Sequence, residues 1–228
     1  MPGLMIIGTA HVIDLSLSLE KYIRDFNPQI IALELDKHRW HALRLESRRT
    51  EGPFYLRLLA RLQQYLGDSL GSSPGSEMIV ATNIADSIGA GLAFIDKPII
   101  HTIQDAWKNM PYSELFRLFT DSLVSFVGGG STNVRSSIQT GDFSTELHEF
   151  GKFYPSLKDN LIDRRDQYMS LNIVRILRTN KCEKLLAVVG EGHVEGMATR
   201  LSKLKPQIVK LSDLLQYQRN SVSFTVEI

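Results

Sequence analysis

The sequence predicts an α/β protein: a mostly parallel central sheet from two related halves, helices around it, and a helical middle insertion over about 37–70 and 103–180. Three observations predict it. Short apolar runs that stop at Gly, Asp or Pro alternate with stretches of helical spacing, as in parallel strands joined by crossover helices. One unit (a strand, Gly-x-x-His-Val, a helix, a Pro-marked turn, a second strand) occurs near each end, at Gly8–Val12 and at Gly190–Val194. The 228 residues are 43% hydrophobic and 22% charged, enough to bury a core as one domain over 1–228.

The elements follow in order. Leu4–Ile7 is an apolar run stopped by Gly8, read as a buried strand. Ser16–Phe26 carries Leu17, Leu19, Ile23 and Phe26 at mixed helical spacing, and Asn27-Pro28 ends that helix, because the residue before Pro avoids the helical region. Ile30–Leu35 is the second buried strand. A long helical stretch from Lys37 to about Leu66 is broken at Gly52-Pro53, and Ser69–Ser76 is a Gly/Ser/Pro loop. Glu77–Gly91 shows a helical stripe of Met78, Ala81, Ile84, Ala85 and Ile88. Leu92–Ile95 is the third strand. Trp107–Phe126 is helical, and residues 128–151 read as a long polar loop. Leu157–Thr179 is a long helix, Lys184–Val189 the fourth strand, Val194–Leu204 a helix, and Gln207–Leu211 the fifth strand. Ser221–Ile228 alternates in polarity and is expected to pair at a sheet edge.

Composition excludes several function classes. Lys plus Arg number 26 against 25 Asp plus Glu, so the net charge is +1, without the basic excess of a dedicated nucleic-acid binder. A single cysteine, Cys182, excludes an intrachain disulfide and a four-cysteine zinc site. No run reaches the ~18–20 apolar residues of a membrane helix. Nor does the start, Met1-Pro2-Gly3, have a signal peptide's pattern. A cytoplasmic protein is expected, without membrane or nucleic-acid partners. The helical arms around 40–66 and 105–126 suggest a homodimer.

The chemistry concentrates where strands end. In open parallel sheets ligands gather at the C-terminal ends of the strands. His11 and His193 each stand three residues past a strand-ending Gly, so both are expected at one crevice, where imidazole nitrogens bind a metal or move protons near neutral pH. Glu34 and Asp36 alternate onto one side of the second strand. A carboxylate in a buried strand is costly unless paired or metal-bound. Asp36 reads equally as a site carboxylate or as a structural one, capping a helix or pairing with Arg39, whereas Glu34 reads as a site carboxylate. His38, His41, His101 and His148 read as solvated or satisfied in the core. Gly190-x-Gly192-x-x-x-Gly196, with Asp213 after the next strand, partly imitates a dinucleotide fingerprint, but His193 and Glu195 crowd the loop.

Gly8-Thr9-Ala10-His11-Val12, and Leu33-Glu34-Leu35-Asp36 with Arg39, resemble the start of the TraB/PrgY (pheromone-shutdown) family. Gly75-Ser76-Glu77-Met78, Ile95-Asp96, Asp163-Arg164-Arg165-Asp166 with Met169, and Val189-Gly190-Glu191-Gly192-His193 continue the resemblance in family order over nearly the whole chain. That family is grouped with the Tiki metalloproteases and, more distantly, with the erythromycin-esterase and ChaN-like proteins. The resemblance implies two related α/β halves around a shared site of two Gly-x-x-His motifs, a glutamate and an arginine. Metal ligands would be His11, His193 and Glu34, and catalytic residues Glu34, Arg165 and Glu77. Arg39, Asp96 and Asp166 would be further binding residues. Arg164 stands where the family's Glu-Arg-Asp has its Glu, and Asp96-Lys97 replaces an Asp-Arg. The implied activity is hydrolysis of a peptide or small-molecule substrate with Mn, Co or Zn, Arg165 binding a substrate carboxylate or an oxyanion. The alternative is non-catalytic binding of a peptide, pheromone or haem-like ligand in the same crevice.

Overall fold

A computed structural model describes residues 3–10, 14–44, 76–114, 116–117 and 144–225. His11, the helical stretch over 45–66 and with it most of the first proposed dimer arm, the loop over 69–75, and residues 115 and 118–126 of the second arm lie outside the described residues.

Strand β1 is Gly3–Thr9 and helix α1 Ser16–Phe26; β2 is Ile30–Leu33, followed by α2, Lys37–Arg44. Next come α3 (Ser76–Ile88), β3 (Gly91–Phe94) and α4 (Ile99–Asn109). Then α5 (Ser144–Phe153), α6 (Pro155–Lys158), a π-helical turn over Asp159–Asp163 and α7 (Arg164–Thr179) lead to β4 (Lys184–Gly190). The chain closes with α8 (Glu191–Arg200), a 3-10 turn, β5 (Gln207–Val209) and α9 (Leu211–Thr225).

The five strands are all parallel, in the order β3-β2-β4-β1-β5. Alternation along each strand divides the core in two. Met5 and Ile7 of β1, Ile31 and Leu33 of β2, and Leu186 and Val188 of β4 face α1, α3 and the start of α9. Leu4, Ile6, Ala32, Leu185, Ala187 and Val189 face α7 and α8. Burial on both faces explains why these strands read as continuous apolar runs. The two halves interleave. β1 and β4 lie side by side at the centre, β2 flanks β4 and β5 flanks β1. The helix of the first half, α1, covers one face, and that of the second, α8, covers the other.

Local stops match the sequence. Asn27 takes the left-handed conformation at φ 48 and donates its N–H to Ile23 O, closing α1 just before Pro28. Several expectations fail: the helix expected over Trp107–Phe126 instead starts at Ile99 and ends at Asn109, just before Met110-Pro111, and the fifth strand stops at Val209, where Leu211 opens α9. Residues 144–151, read as loop, belong to α5. The segment from Ser221, read as a strand, continues α9 through Thr225, and residues 226–228 lie outside the described residues. The helix had already begun upstream. Asp213 accepts the N–H of Lys210 at 2.8 Å, Leu211 and Leu214 are buried, and Gln218 donates to Ser18's neighbour segment at Asp14 O, 2.5 Å. A short alternating stretch is too weak a signal to reverse a helix already docked on α1. Finally, β2 stops at Leu33, two residues short of the expected end.

Candidate functional site

Every residue of the site comes from the C-terminal edge of the sheet. Glu34 follows the last residue of β2, and its N–H still bonds to Val188 O of β4 at 3.1 Å. Asp96 lies two residues past β3. Gly190 ends β4, and His193 lies in the first turn of the helix that follows it. Arg165 and Asp166 open α7 just after the π-helical turn, an irregularity frequent at functional sites.

Arg165 is the hub. Its Nη2 donates to Glu34 Oε1 and to Asp96 Oδ2, the latter at 2.7 Å. Nε donates to Asp96 Oδ1 at 3.2 Å, and Nη1 to Leu161 O at 3.1 Å. Nη1 also lies 3.1 Å from His193 Nε2. A guanidinium has five N–H donors, and four of them reach Glu34 Oε1, both oxygens of Asp96 and Leu161 O. Burial alone would lower the basicity of Arg165, but Glu34 and Asp96 outweigh it and hold the guanidinium charged, its pKa raised above the ordinary value.

His193, 4% exposed, is held from both sides. Its Nδ1 lies 2.6 Å from Asp166 Oδ1 and its Nε2 3.2 Å from Glu34 Oε1. Glu34 Oε2 accepts the N–H of Gly190 at 2.7 Å. Desolvation opposes charge on the imidazole, yet the carboxylates of Glu34 and Asp166 prevail over it and over Arg165's repulsion, raising its pKa to about 9. Glu34 and Asp96 face the guanidinium, and Asp166 and Glu34 face the imidazole from its two sides. Asp166, 1% exposed, has its own pKa raised by burial, against the pull of His193 and Arg200.

Five of the expected residues therefore meet: Glu34, Asp96, Arg165, Asp166 and His193. Glu77 is buried in the first turn of α3. Arg39 is half-buried on α2, and its side chain joins none of these bonds. His11 lies outside the described residues. Asp36 separates from Glu34: its Oδ1 accepts the N–H groups of His38 and Arg39 at 2.8 and 3.0 Å, so it caps α2. Arg165 differs most from expectation. Its donors are taken by protein acceptors, so it organises the acids rather than offering a free fork to substrate.

Among the described residues, no group of three or more His, Cys, Asp or Glu is arranged to hold a metal ion. The donor chemistry nevertheless suits one. A carboxylate on Nδ1 is the usual outer partner of a metal-bound imidazole, and here it leaves Nε2 beside a second carboxylate, Glu34.

Two glycines allow this packing. A Cβ at Gly8 would overlap Glu191 Oε2 and lie 2.7 Å from Val194 Cγ2. Glu191 crosses that gap to accept the N–H of Leu211 at 2.8 Å, tying the start of α9 to the start of α8. Gly8→Ala is expected to lower stability by about 1–3 kcal/mol, read from urea unfolding. The other glycine, Gly196, faces Asp166. Residue-by-residue reading missed both roles, because the partner atoms are remote in sequence.

Comparison with known proteins gives three findings. A family profile described as TraB/PrgY/gumN matches residues 2–211. An uncharacterized protein of Methanocaldococcus jannaschii is 30% identical over 237 aligned positions, covering 96% of this chain and 58% of that protein. The chain thus spans a little over half the length of that relative. A solved structure of ChaN from Campylobacter jejuni, described as binding haem cofacially, is similar over 91% of this chain and 79% of that one, at 13% identity and a TM-score of 0.41.

Proposed function

This chain belongs to the TraB/PrgY/gumN family, and from that premise we propose that it is a metal-dependent hydrolase acting on peptides at the cluster around His193. The observation that carries the reading is the buried Asp166–His193–Glu34 alignment at the C-terminal edge of the sheet. Asp166 fixes the ring and presents Nε2, and Glu34 sets an oxygen beside it. His193 and Glu34, with His11, would hold the metal. When bound, a divalent Mn, Co or Zn ion polarises a carbonyl and acidifies a water.

The remaining tasks fall to the chain itself. Arg165 donates to Glu34 and to Asp96 and so fixes both carboxyl groups in place, Glu34 beside His193 Nε2. The Gly190 N–H holds the other oxygen of Glu34 and sets its plane. The π-helical turn directs Leu161 O at Arg165, which anchors the guanidinium from the helix side.

The test is direct. Purified protein is incubated with a peptide mixture and Mn, Co or Zn, and the products are read by mass spectrometry. Cleavage is expected, and Glu34→Gln or His193→Gln should each reduce kcat by about a hundredfold or more while the far-UV spectrum is kept. Peptides recovered intact under every metal would remove the hydrolase reading.

A second reading, binding without turnover, is favoured by one feature. Arg165 already neutralises part of the acid cluster from within, so the pocket is organised without an added cation. A peptide or small ligand retained by the protein but recovered unchanged after incubation with metal would support it. No helix among the described residues is long and apolar enough to cross a membrane.

A further inference from the structure

We propose that Gly196 is a positioning residue: the bare backbone of α8 at this point is what allows Asp166 to reach His193. The inference deepens the site reading above, but it rests on packing alone and needs no metal. An added Cβ at Gly196 would overlap Asp166 Oδ2 and lie 2.9 Å from its Cγ. Asp166 is 1% exposed and short, with its Oδ1 already 2.6 Å from His193 Nδ1. The carboxylate therefore has no second position that keeps this bond. If a methyl group appears at residue 196, either the carboxylate rotates away or α8 lifts from α7, and both movements open the Asp166–His193 contact.

The surrounding contacts point the same way. Arg200, one turn beyond Gly196, donates through Nη1 to Gly196 O at 3.0 Å and through Nη2 to Asp163 O at 3.2 Å. The same Nη1 lies 3.8 Å from Asp166 Oδ2. Arg200 thus clamps the end of α8 over the π-helical turn, with Asp166 enclosed beneath. Asp166 Oδ1 serves the imidazole, while Oδ2 rests against the glycine. The helix carries its own control. Gly192 also lies in α8, and a Cβ there meets nothing within 4 Å. Helix propensity by itself favours alanine more at the interior position 196 than at 192 in the first turn, so a loss confined to Gly196→Ala comes from what its methyl group meets.

The readout is the Nδ1 proton of His193 in metal-free protein. A buried Nδ1–H bonded to a carboxylate gives a far-downfield, slowly exchanging proton resonance, whether the ring is neutral or charged. Wild type and Gly192→Ala are expected to show it; Gly196→Ala and Asp166→Asn are expected to lose it. If Gly196→Ala does not fold, Asp166→Ala and the double variant Asp166→Ala/Gly196→Ala decide the matter, because removing the carboxylate removes the clash. The double variant should then melt at or above the temperature of Asp166→Ala alone. A Gly196→Ala protein that keeps the resonance overturns the proposal, as does a double variant that melts well below Asp166→Ala. Neither result touches the hydrolase reading, which the peptide assay judges separately.

Discussion

Arg165→Met is expected to lower the free energy of unfolding by about 3–5 kcal/mol, the usual effect of removing one partner from a buried ion pair. The substitution keeps a long apolar side chain but leaves Glu34 and Asp96, 5% and 6% exposed, without the cation that faces them. It also releases Leu161 O, which Nη1 satisfies. The adjacent residue supplies the comparison. Arg164 pairs with Asp159 at 2.8 Å, but both side chains are about half exposed, at 51% and 48%. Arg164→Met should therefore change stability by less than about 1 kcal/mol. Urea unfolding of the two variants with equal slopes gives the difference from the midpoints. If Arg165→Met falls beside Arg164→Met, the guanidinium is not what holds the acid cluster together.

Metal-free protein is expected to lose stability as pH rises from about 6.5 through about 9. His193 has its folded pKa raised to about 9 from the ordinary 6.5, chiefly because Glu34 and Asp166 overcome the effect of burial. A base whose pKa is raised by folding contributes stability that is complete below its unfolded pKa. That contribution disappears as pH climbs through the folded pKa. A rise of this size corresponds to about 3 kcal/mol, as an order of magnitude. Asp166, which shares the proton-bearing contact with His193, is also held upward by burial. The burial-raised thiol of Cys182 acts at the alkaline end, so the quantity to measure is the difference between wild type and His193→Gln. That difference should shrink as pH rises through about 9. A constant difference from pH 6 to 10 would mean that folding does not raise the pKa of the imidazole.

Much of the fold was legible because its signals are local. Leu4–Ile7, Ile30–Leu35 and Lys184–Val189 are largely apolar runs with Gly or Pro near their ends, and each holds a buried strand, the second ending at Leu33. The stripe of Met78, Ala81 and Ala85 does face the core from α3. Where the signal was short, the reading failed. The alternation after Ser221 lost to a helix begun at Leu211, and the polar composition of 144–151 concealed α5. Glu34 and Asp36 illustrate the limit for the site. Alternation placed them together, but β2 ends at Leu33, so Asp36 turns to cap α2 while Glu34 turns into the cluster. Gly196 and Leu161 gave no sign of their roles, since a close approach and an accepting carbonyl are properties of the partner element.

Sequence alone determined the class of fold, the strands and most of their bounding turns. The family resemblance marked Arg165, and the sequence itself marked Glu34 and His193 as residues to follow. These follow from spacing, from Gly and Pro backbone limits, and from the cost of burying charge, all of which act within a few residues. Tertiary structure alone decided that residues 34, 96, 165, 166 and 193 share one buried network, and that the arginine is its internal counterion. The physical reason is the strand order. Placing β2 between β3 and β4 brings Glu34 beside Asp96 and Gly190, and packing α7 against α8 then delivers Arg165 and Asp166 to His193.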